Sequence, residues 1–343
     1  MVHIELNRIY NINCIKGMKN LIREGYSKYF EFIEIDPPYN ISKDEWDKFK
    51  SRGEYLNFIK EVINLSNQLM SDNGTLFLWH NDILVLSDFI QLIKNNTDLK
   101  LKQQCIWNKY YKYNNDGTIN NQYGFLNGFI QSNMNRNYQK MCEYVLYYTK
   151  QNEELTMYNS KDPFKIIKEY FYKAQKKAGL STTKINQLLG HRQAEHTFYT
   201  KSQWMFPTED TYKELKTILD LPIDYNKLLK RYENMRYTYN SNKNNYRSCI
   251  WNYPMSKKTK HKTEKPLQLY YDMFEVHTRK DSKCLFPFTG SANNIISLLN
   301  LNNNDKGNRQ YIGFETDKKW YELGNKRISK YTNEVQCTLK EVM

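Results

Sequence analysis

Residues Asp36–Asn40 (D-P-P-Y-N) combine side chains that suit the recognition of an aromatic amine. They follow Glu31–Ile35, an apolar run that predicts a strand, so the motif lies at a carboxyl end, where α/β sheets bind ligands. The two prolines fix φ and remove backbone donors, which leaves a carbonyl acceptor on a rigid loop. An acid, that carbonyl and the ring of Tyr39 can hold an exocyclic amine by two hydrogen bonds and a stacking contact. A proline-rich turn with Asp36 as a helix cap is the alternative for the triplet alone.

Short apolar runs alternate with helical patterns on both sides of this motif, which predicts an α/β sheet. We predict strands at 31–35, 75–79, 101–107, 143–148, 283–288 and 310–315, and helices at 55–70, 88–94, 266–276, 293–299 and 320–331. A catalytic domain in two parts is therefore expected, with its N-terminal part at 1–150 and its C-terminal part at 251–343.

Residues 151–250 lack this alternation and predict a separate, basic and mostly helical module. A charged helix is predicted at 164–178, and a short helix at 182–189 ends at Gly190. A polar second helix at 193–200 would complete an arrangement similar to a helix-turn-helix, whose second helix enters the major groove of DNA. A helical hairpin that packs Ile185, Leu188 and Leu189 into a core is the alternative. In the first interpretation, the residues that read bases or phosphates are Arg192, Gln193, His196 and Lys201.

The composition favours a nucleic-acid partner and excludes several other classes. Lys and Arg outnumber Asp and Glu by 51 to 37, and 15% of the 343 residues are aromatic. A net charge of +14 interleaved with aromatic rings is typical of nucleic-acid binders, although a solvated basic surface is an alternative. The six cysteines form no CxxC pair or His cluster, so neither disulfides nor a metal site is expected. No signal peptide or membrane span is predicted, and a cytoplasmic protein is expected.

In this motif order the chain resembles the beta-type amino-methyltransferases of DNA, in which the catalytic motif comes first, target recognition next and the cofactor motifs last. Phe288–Ala292 (F-T-G-S-A) is similar to the family's F-x-G-x-G loop, beside the methionine part of S-adenosyl-L-methionine (SAM). Glu315 ends the next predicted strand, where the family has an acid for the ribose hydroxyls. His261–Pro266 (H-K-T-E-K-P) resembles the H-P-T-x-K-P box close to the cofactor. Asn13 and Cys14 resemble the D-C pair near the adenine ring of SAM.

The resemblance implies a Rossmann-like SAM-dependent methyltransferase fold: a mixed seven-stranded sheet with circularly permuted motif order and an inserted, mostly helical target-recognition region. The catalytic residues that it implies are Asp36, Pro37, Pro38 and Tyr39. The cofactor-binding residues that it implies are Asn13, Cys14, Asp36, His261, Lys265, Pro266, Phe288, Gly290, Ser291 and Glu315.

The implied activity is the site-specific transfer of a methyl group from SAM to the N6 amine of an adenine flipped out of double-stranded DNA. Aspartate at the first motif position is found more often in family members that act on adenine, and the N4 amine of cytosine is the alternative. A restriction-modification system with a cognate endonuclease, and a homodimer, are further expectations.

Four residues depart from the family pattern. Phe286 stands where the family has Asp, Ala292 adds a Cβ at the second loop glycine, Asn13 replaces Asp and Lys262 replaces Pro. These departures motivate another alternative, a non-catalytic, sequence-specific DNA-binding protein on a degenerate methyltransferase fold.

Overall fold

The computed structural model describes residues 3–41, 47–109, 112–113, 119–120, 142–150, 164–192, 195–198, 204–240, 248–255 and 264–342. The chain forms two compact units, and the first consists of Met1–Thr149 with Thr238–Met343. The second unit is Lys150–Tyr237. Residues 238–250, which the sequence analysis assigned to the recognition region, thus lie in the first unit. Among the described residues, no helix is long and apolar enough to cross a membrane.

The first unit contains all six strands that the apolar runs predicted, together with four short strands that they did not predict. Its strands are β1 (Arg8–Tyr10), β2 (Phe30–Ile35), β3 (Met70–His80), β4 (Lys100–Asn108), β5 (Lys112–Tyr113), β6 (Ile119–Asn120), β7 (Cys142–Thr149), β8 (Ile250–Asn252), β9 (Lys283–Phe286) and β10 (Gln310–Phe314). Helices alternate with them, as expected for an α/β fold. They are α1 (Cys14–Arg23), α2 (Arg52–Leu69), α3 (Ile83–Asn96), α9 (Leu267–His277), α10 (Asn293–Asp305) and α11 (Lys318–Val342).

The main sheet is mixed and has the strand order β1-β10-β9-β2-β3-β7-β4-β8. All neighbouring pairs are parallel except those of β7, which runs antiparallel to both β3 and β4. The predicted fold class is confirmed, but the implied count of seven strands was wrong, since the described residues form a main sheet of eight. Two of the eight, β1 and β8, were not among the strands predicted from apolar runs; β8 extends the sheet beside β4 with Trp251 opposite Trp107. Each has three residues, and runs this short gave no strand signal in the sequence.

Helices pack on a sheet whose central strands are largely buried. Five of the six residues in β2 are buried, as are seven consecutive residues of β3, from Gly74 to His80. Side chains such as Ile33, Leu78 and Leu285 are fully buried, together with Ile59 and Val62 of α2. Strands buried on both faces are typical of parallel sheets, and this rigid core fixes the positions of the loops at its edges.

The second unit is all helical where it is described. Its helices are α4 (Lys165–Lys177), α5 (Thr182–Leu189), α6 (Glu195–Phe198), α7 (Glu209–Ile218) and α8 (Tyr225–Met235). Ser181 caps α5 by accepting a hydrogen bond from the Lys184 amide, and Gly190 ends it at φ 74°. Ile185 is buried in a core with Phe171 and Leu215.

The predicted second helix of the helix-turn-helix is described only as the four residues of α6. Gln193 and Lys201, two of the predicted DNA contacts, lie outside the described residues. The hairpin alternative placed Leu188 in the core, but this side chain is 51% exposed. The core of the unit is therefore built around Ile185 rather than around the whole apolar set of α5.

Candidate active site

Five strand ends of the first unit meet at one edge of the sheet. Strands β1, β10, β9, β2 and β3 are mutually parallel, so their carboxyl ends point the same way. Strand β7 is reversed, and its first residues therefore lie at this same edge, where Tyr144 pairs with His80. The carboxyl end of β4 joins them because Asn108 pairs with Cys142. The permuted motifs are thus brought together although they are more than 250 residues apart in the chain.

The D-P-P-Y motif forms the loop that leaves β2. The Tyr55 hydroxyl donates to the carbonyl oxygen of Pro38 at 2.8 Å, and Asn40 adopts a left-handed conformation at φ 55°, which asparagine tolerates. The buried carboxylate of Asp47 accepts the backbone amides of Asn40 and Ile41 at 2.7 and 3.0 Å. The loop is therefore held by side chains of α2 and of the segment before it, and its backbone is rigid.

A cluster of charged side chains surrounds Asp36. The Lys265 ammonium contacts Asp36 Oδ2 and lies 3.4 Å from Glu143 Oε2. The Tyr39 hydroxyl lies 2.9 Å from Asp36 Oδ1 and 3.0 Å from Glu143 Oε2, and it can donate to one of them at a time. Glu143 Oε1 is paired with Lys109. Asp36, Glu143, Lys109 and Lys265 thus form a compact array of two acids and two ammonium groups, which we call the base-side cluster.

The opposite charges in this cluster shift each other's pKa values in the direction that favours the ionised forms. Burial alone would raise the pKa of Glu143, but the ammonium groups of Lys265 and Lys109 lower it to about 2. Burial alone would lower the pKa of Lys265, but the carboxylates of Asp36 and Glu143 raise it. Burial and the same two carboxylates hold the pKa of Tyr39 well above its usual value. At neutral pH, Glu143 and Lys265 are therefore ionised and Tyr39 is a neutral hydroxyl.

Another acid lies on β2 just below the motif. Glu34 is fully buried, and its Oε2 accepts a hydrogen bond from the Asn294 amide at 3.0 Å. Burial, reinforced by the neighbouring charge of Asp36, raises the pKa of Glu34 to about 7. This carboxyl is consequently protonated in a large share of molecules at neutral pH.

A cavity of about 380 Å³ extends from the base-side cluster to the ends of β9, β10 and β1. The catalytic and cofactor residues predicted from the sequence that line it are Asn13, Cys14, Asp36, Pro37, Pro38, Tyr39, Lys265, Phe288, Gly290, Ser291 and Glu315. Ligand pockets have volumes of roughly 300–1,000 Å³, so this cavity is large enough for a ligand.

The loop after β9 is shaped by two left-handed residues. Gly290 has φ 50° and Ala292 has φ 66°. The Gly290 amide donates to Glu315 Oε2 at 2.8 Å, and the Asp317 amide donates to Glu315 Oε1 at 2.9 Å. Burial raises the pKa of Glu315, while these backbone donors oppose the shift. We call Phe288–Ala292 together with Glu315 the cofactor-side loop.

Helix α11 accommodates the extra Cβ of Ala292. Gly324 faces it, and a Cβ at Gly324 would lie 3.2 Å from the Ala292 Cβ. One turn further along, Arg327 donates to the Ser291 carbonyl at 2.7 Å and to Glu264 Oε1 at 2.8 Å. The departure from the second loop glycine is therefore matched by a glycine on the neighbouring helix and by an arginine that fastens the loop.

Two described residues that the sequence analysis singled out, Pro266 and Phe286, do not line the cavity. Pro266 is buried at the N-cap position of α9. Phe286 is fully buried against Phe32 and Phe274, at 6.4 and 5.8 Å between ring centroids. His261 lies outside the described residues.

Asn13 and Cys14 reach the cavity from α1. The Asn13 side chain caps α1 by accepting the amide of Ile15 at 3.0 Å. Asparagine is as good a cap as aspartate, so the replacement keeps the helix start. Burial raises the pKa of the Cys14 thiol to about 12, which keeps it protonated and unreactive.

The two described DNA-contact candidates lie in the second unit. Arg192 is 82% exposed in its side chain and pairs with Glu195 at 3.2 Å. His196 lies on α6, and the neighbouring His191 bonds Glu214 at 2.8 Å.

Glu143, Lys109 and Glu34 were not predicted as site residues. Glu143 begins the strand predicted at 143–148, and Lys109 follows the strand predicted at 101–107 by two residues. An acid at the start of a strand and a lysine after the end of another indicate a shared site only when the order of the strands in the sheet is known. Glu34 did leave a signal, since it is a charged residue in a strand otherwise buried on both faces.

Comparison with known proteins places the chain in a family. The family model for DNA methylase matches residues 30–326. The chain belongs to the DNA methylase family. A Type II methyltransferase of Moraxella bovis, M2.MboI, is 23% identical over 350 aligned positions, which cover 97% of this chain and 91% of that protein. M1.MboII of the same organism is 31% identical over 77 residues, which span 22% of this methylase and 28% of that protein's length.

The fold of the methylase is also found among solved structures. The crystal structure of the M1.HpyAVI–SAM complex matches 93% of this chain and 98% of that chain, with a TM-score of 0.51 and 17% identity. This likeness concerns the fold. The family membership and the fold class predicted from the ordered motifs are confirmed.

Proposed function

We propose that this DNA methylase transfers a methyl group to the N6 amine of an adenine that is flipped out of double-stranded DNA. The observation that carries the proposal is the single cavity that Asp36, Pro37 and Tyr39 share with the cofactor-side loop. An acceptor for an amine and a site for a methyl donor thus lie side by side, within reach of an in-line transfer.

The cofactor is S-adenosyl-L-methionine, whose sulfonium supplies an electrophilic methyl group. The residues at the ends of β1, β9 and β10 fit it chemically. The carboxylate of Glu315 is an acceptor for ribose hydroxyls, and Gly290 has no side chain to fill the space over the loop. Phe288 and Asn13 line the same part of the cavity as apolar and polar walls.

The amine requires help because its lone pair is delocalised into the aromatic ring. Two acceptors that bind its hydrogens favour a more tetrahedral nitrogen, whose lone pair then faces the methyl group. We assign Asp36 as one acceptor. The second is the carbonyl of Pro37, because the carbonyl of Pro38 already accepts the Tyr55 hydroxyl. After transfer, the methylated amine is cationic and loses a proton readily.

Tyr39 supplies the stacking surface for the base. Its ring packs against His80 at 4.6 Å between centroids, while its hydroxyl is held by the base-side cluster. Burial lowers the pKa of His80, which keeps the ring neutral. Aspartate at the first motif position favours adenine, and the N4 amine of cytosine is the alternative substrate because its chemistry is the same.

The DNA contacts that select the site are assigned to the second unit. Arg192 and His196, together with Gln193 and Lys201 of the same stretch, have side chains that read base edges or phosphates. Binding is expected to weaken steeply with salt, since cationic contacts to phosphates release counterions. Two relatives are named as Type II methyltransferases, which favours a restriction-modification role with a cognate endonuclease. We further propose that the protein forms a homodimer and is located in the cytoplasm.

The test is to incubate the protein with SAM and unmethylated genomic DNA and to analyse the nucleosides by mass spectrometry. N6-methyladenine is the expected product. N4-methylcytosine would keep the mechanism and replace the base. The proposal fails if folded protein that binds DNA forms neither product and shows no SAM affinity by calorimetry. The alternative, a non-catalytic DNA-binding protein on a methyltransferase fold, would then be favoured.

A further inference from the structure

We propose that Lys265, Glu143 and Lys109 are positioning residues that hold Asp36 and Tyr39 ready for the amine, and that Lys265 serves the base side of the cavity and not the cofactor. The inference rests on the proposed function, because it assigns how the catalytic loop is oriented. It also replaces the cofactor-binding role that the sequence motif implied for Lys265.

Lys265 has as many acceptors around its ammonium group as it has hydrogens to donate. An ammonium group has three hydrogens to donate. Lys265 Nζ has three acceptors around it: Asp36 Oδ2, Glu143 Oε2 at 3.4 Å and the Tyr39 hydroxyl oxygen at 3.5 Å. Nζ also lies 4.6 Å from the centroid of the Trp79 ring, and the side chain is 2% exposed. These contacts leave no donor of Lys265 for a cofactor carboxylate.

Glu143 is the residue that joins the cluster. Its Oε2 lies within reach of both Lys265 and the Tyr39 hydroxyl, and its Oε1 is paired with Lys109. The sheet fixes this arrangement, because Glu143 pairs with Trp107 in the ladder between β7 and β4. Lys109 follows two residues after Trp107 and its ammonium lies 5.2 Å from that ring. The position of Glu143 is therefore set by the backbone ladder and does not depend on a loop.

Asp36 keeps acceptor capacity while it is held. A carboxylate has about four lone-pair sites, and the contacts with Lys265 and Tyr39 use two of them. The amine can thus be accepted by a carboxylate whose plane is already fixed. Without Lys265, the carboxylates of Asp36 and Glu143 would face each other across the Tyr39 hydroxyl with no cation between them.

The experiment compares turnover at saturating SAM and DNA with SAM affinity measured by calorimetry. We expect Glu143→Gln and Lys265→Met each to lower kcat by about 10- to 100-fold while the Kd for SAM stays within twofold of the wild type. The double variant should lose no more than the stronger single one, because the residues act as a unit. Lys265→Arg should recover part of kcat by retaining the charge. Lys283→Met, which changes a lysine of β9 away from the cavity, is the matched control.

Three outcomes decide whether Lys265 and Glu143 position Asp36 and Tyr39. A Kd for SAM raised tenfold or more by Lys265→Met, with kcat of Glu143→Gln unchanged, would assign Lys265 to the cofactor and overturn the inference. Removing one member of a buried ion pair can prevent folding, so thermal unfolding accompanies each variant. If Lys265→Met does not fold, Glu143→Gln decides alone, and wild-type turnover by it overturns the inference. A wild-type protein without methyl transfer refutes the proposed function itself, which the same assay detects separately.

Discussion

The two halves of the cavity are built by different means. On the base side, Asp36 and Tyr39 are held by charged side chains, those of Glu143 at the start of β7 and of Lys265 just before α9. On the cofactor side, side chains hold the loop through its backbone: Glu315 accepts a hydrogen bond from the Gly290 amide, and Arg327 donates to the Ser291 carbonyl. The base side thus depends on contacts between ionised side chains, and the cofactor side on contacts between side chains and the backbone of the loop.

All four departures from the motifs that the resemblance implies fall in the predicted cofactor motifs, and none falls in D-P-P-Y. On the base side, Asp36 and Tyr39 each have partners that a substitution would leave unpaired. The cofactor-side motif carries Phe286 and Ala292 in place of the usual residues, and the fold absorbs both. Phe286 enters an aromatic core, and Ala292 meets a glycine on α11. Departures in this half therefore do not by themselves argue for a degenerate site.

The largest effect is expected from Asp36. Asp36→Ala removes the acceptor for the amine and should lower methyl transfer by at least about 10³-fold, in the range of a lost electrostatic stabiliser. DNA affinity should be largely retained, which a mobility-shift titration checks. Asp36→Asn is the isosteric control and should also be impaired, since it keeps one acceptor oxygen but not the charge. Normal turnover by Asp36→Ala would contradict the contrast between the two sides of the cavity, because catalysis on the base side would then not depend on a charged side chain.

The next largest effect is expected in the free energy of unfolding, and it comes from Glu34, the buried acid on β2 next to Asp36. The pKa of Glu34 is raised from 4.5 to about 7 in the folded protein. Between these two values the unfolded chain loses this proton while the folded protein keeps it, so stability falls as pH rises. Glu34→Gln removes this dependence. It should be more stable than the wild type at pH 8 by on the order of 2 kcal/mol, with the difference vanishing below about pH 4.5.

Urea unfolding of Glu34→Gln at pH 5 and pH 8 measures this difference. Glu31→Gln changes the same residue type on the same strand, at a half-buried position, and is the matched control. A difference between Glu34→Gln and the wild type that is the same at both pH values would contradict the assignment.

A smaller effect is expected when the backbone of the cofactor side is crowded. Gly324→Ala brings a Cβ to 3.2 Å from the Cβ of Ala292 and should weaken SAM binding by about five- to tenfold, the low end of the roughly 1–3 kcal/mol that overpacking costs. Gly53→Ala, whose Cβ would meet no atom closer than 3.8 Å, is the matched control for calorimetry. Equal affinities for both variants would show that α11 does not hold the loop.

The smallest effect is expected from restoring the family's glycine. Ala292→Gly relieves a left-handed alanine at φ 66°, worth roughly 1–2 kcal/mol, but increases the freedom of the unfolded chain by a comparable amount. The Kd for SAM should change by less than about threefold. Combined with Gly324→Ala, it should recover the affinity that the latter loses. A gain of tenfold or more in Ala292→Gly alone would mean that the departure does weaken the site.

Much of the fold could be read from the sequence because local patterns and motif order agree. The strand before Asp36, the helix cap at Ser181 and the end of α5 at Gly190 each follow from a few adjacent residues. The family and its cofactor followed from ordered motifs. Strand β8 was missed since three residues carry no periodicity, and the four-residue α6 is shorter than the polar stretch suggested.

The charged surroundings of Asp36 could not be read in the same way. Glu143 and Lys109 are separated by 33 intervening residues and meet through the pairing of two antiparallel strands. Sequence spacing gives no measure of such a contact. The interpretation of Lys265 as a cofactor residue failed to anticipate its ion pairs for the same reason, because its partners come from β2 and β7.

The reversal of β7 has a consequence for how this protein can be altered. Strand β4 ends and strand β7 begins at the same pair, Asn108 with Cys142, so Lys109 and Glu143 lie next to one shared rung of the ladder. A proline at Cys142 would remove the backbone donor of that rung and should loosen the positions of Lys109 and Glu143 together. Two residues of the base-side cluster can therefore be perturbed by a single backbone change that leaves both of their side chains in place.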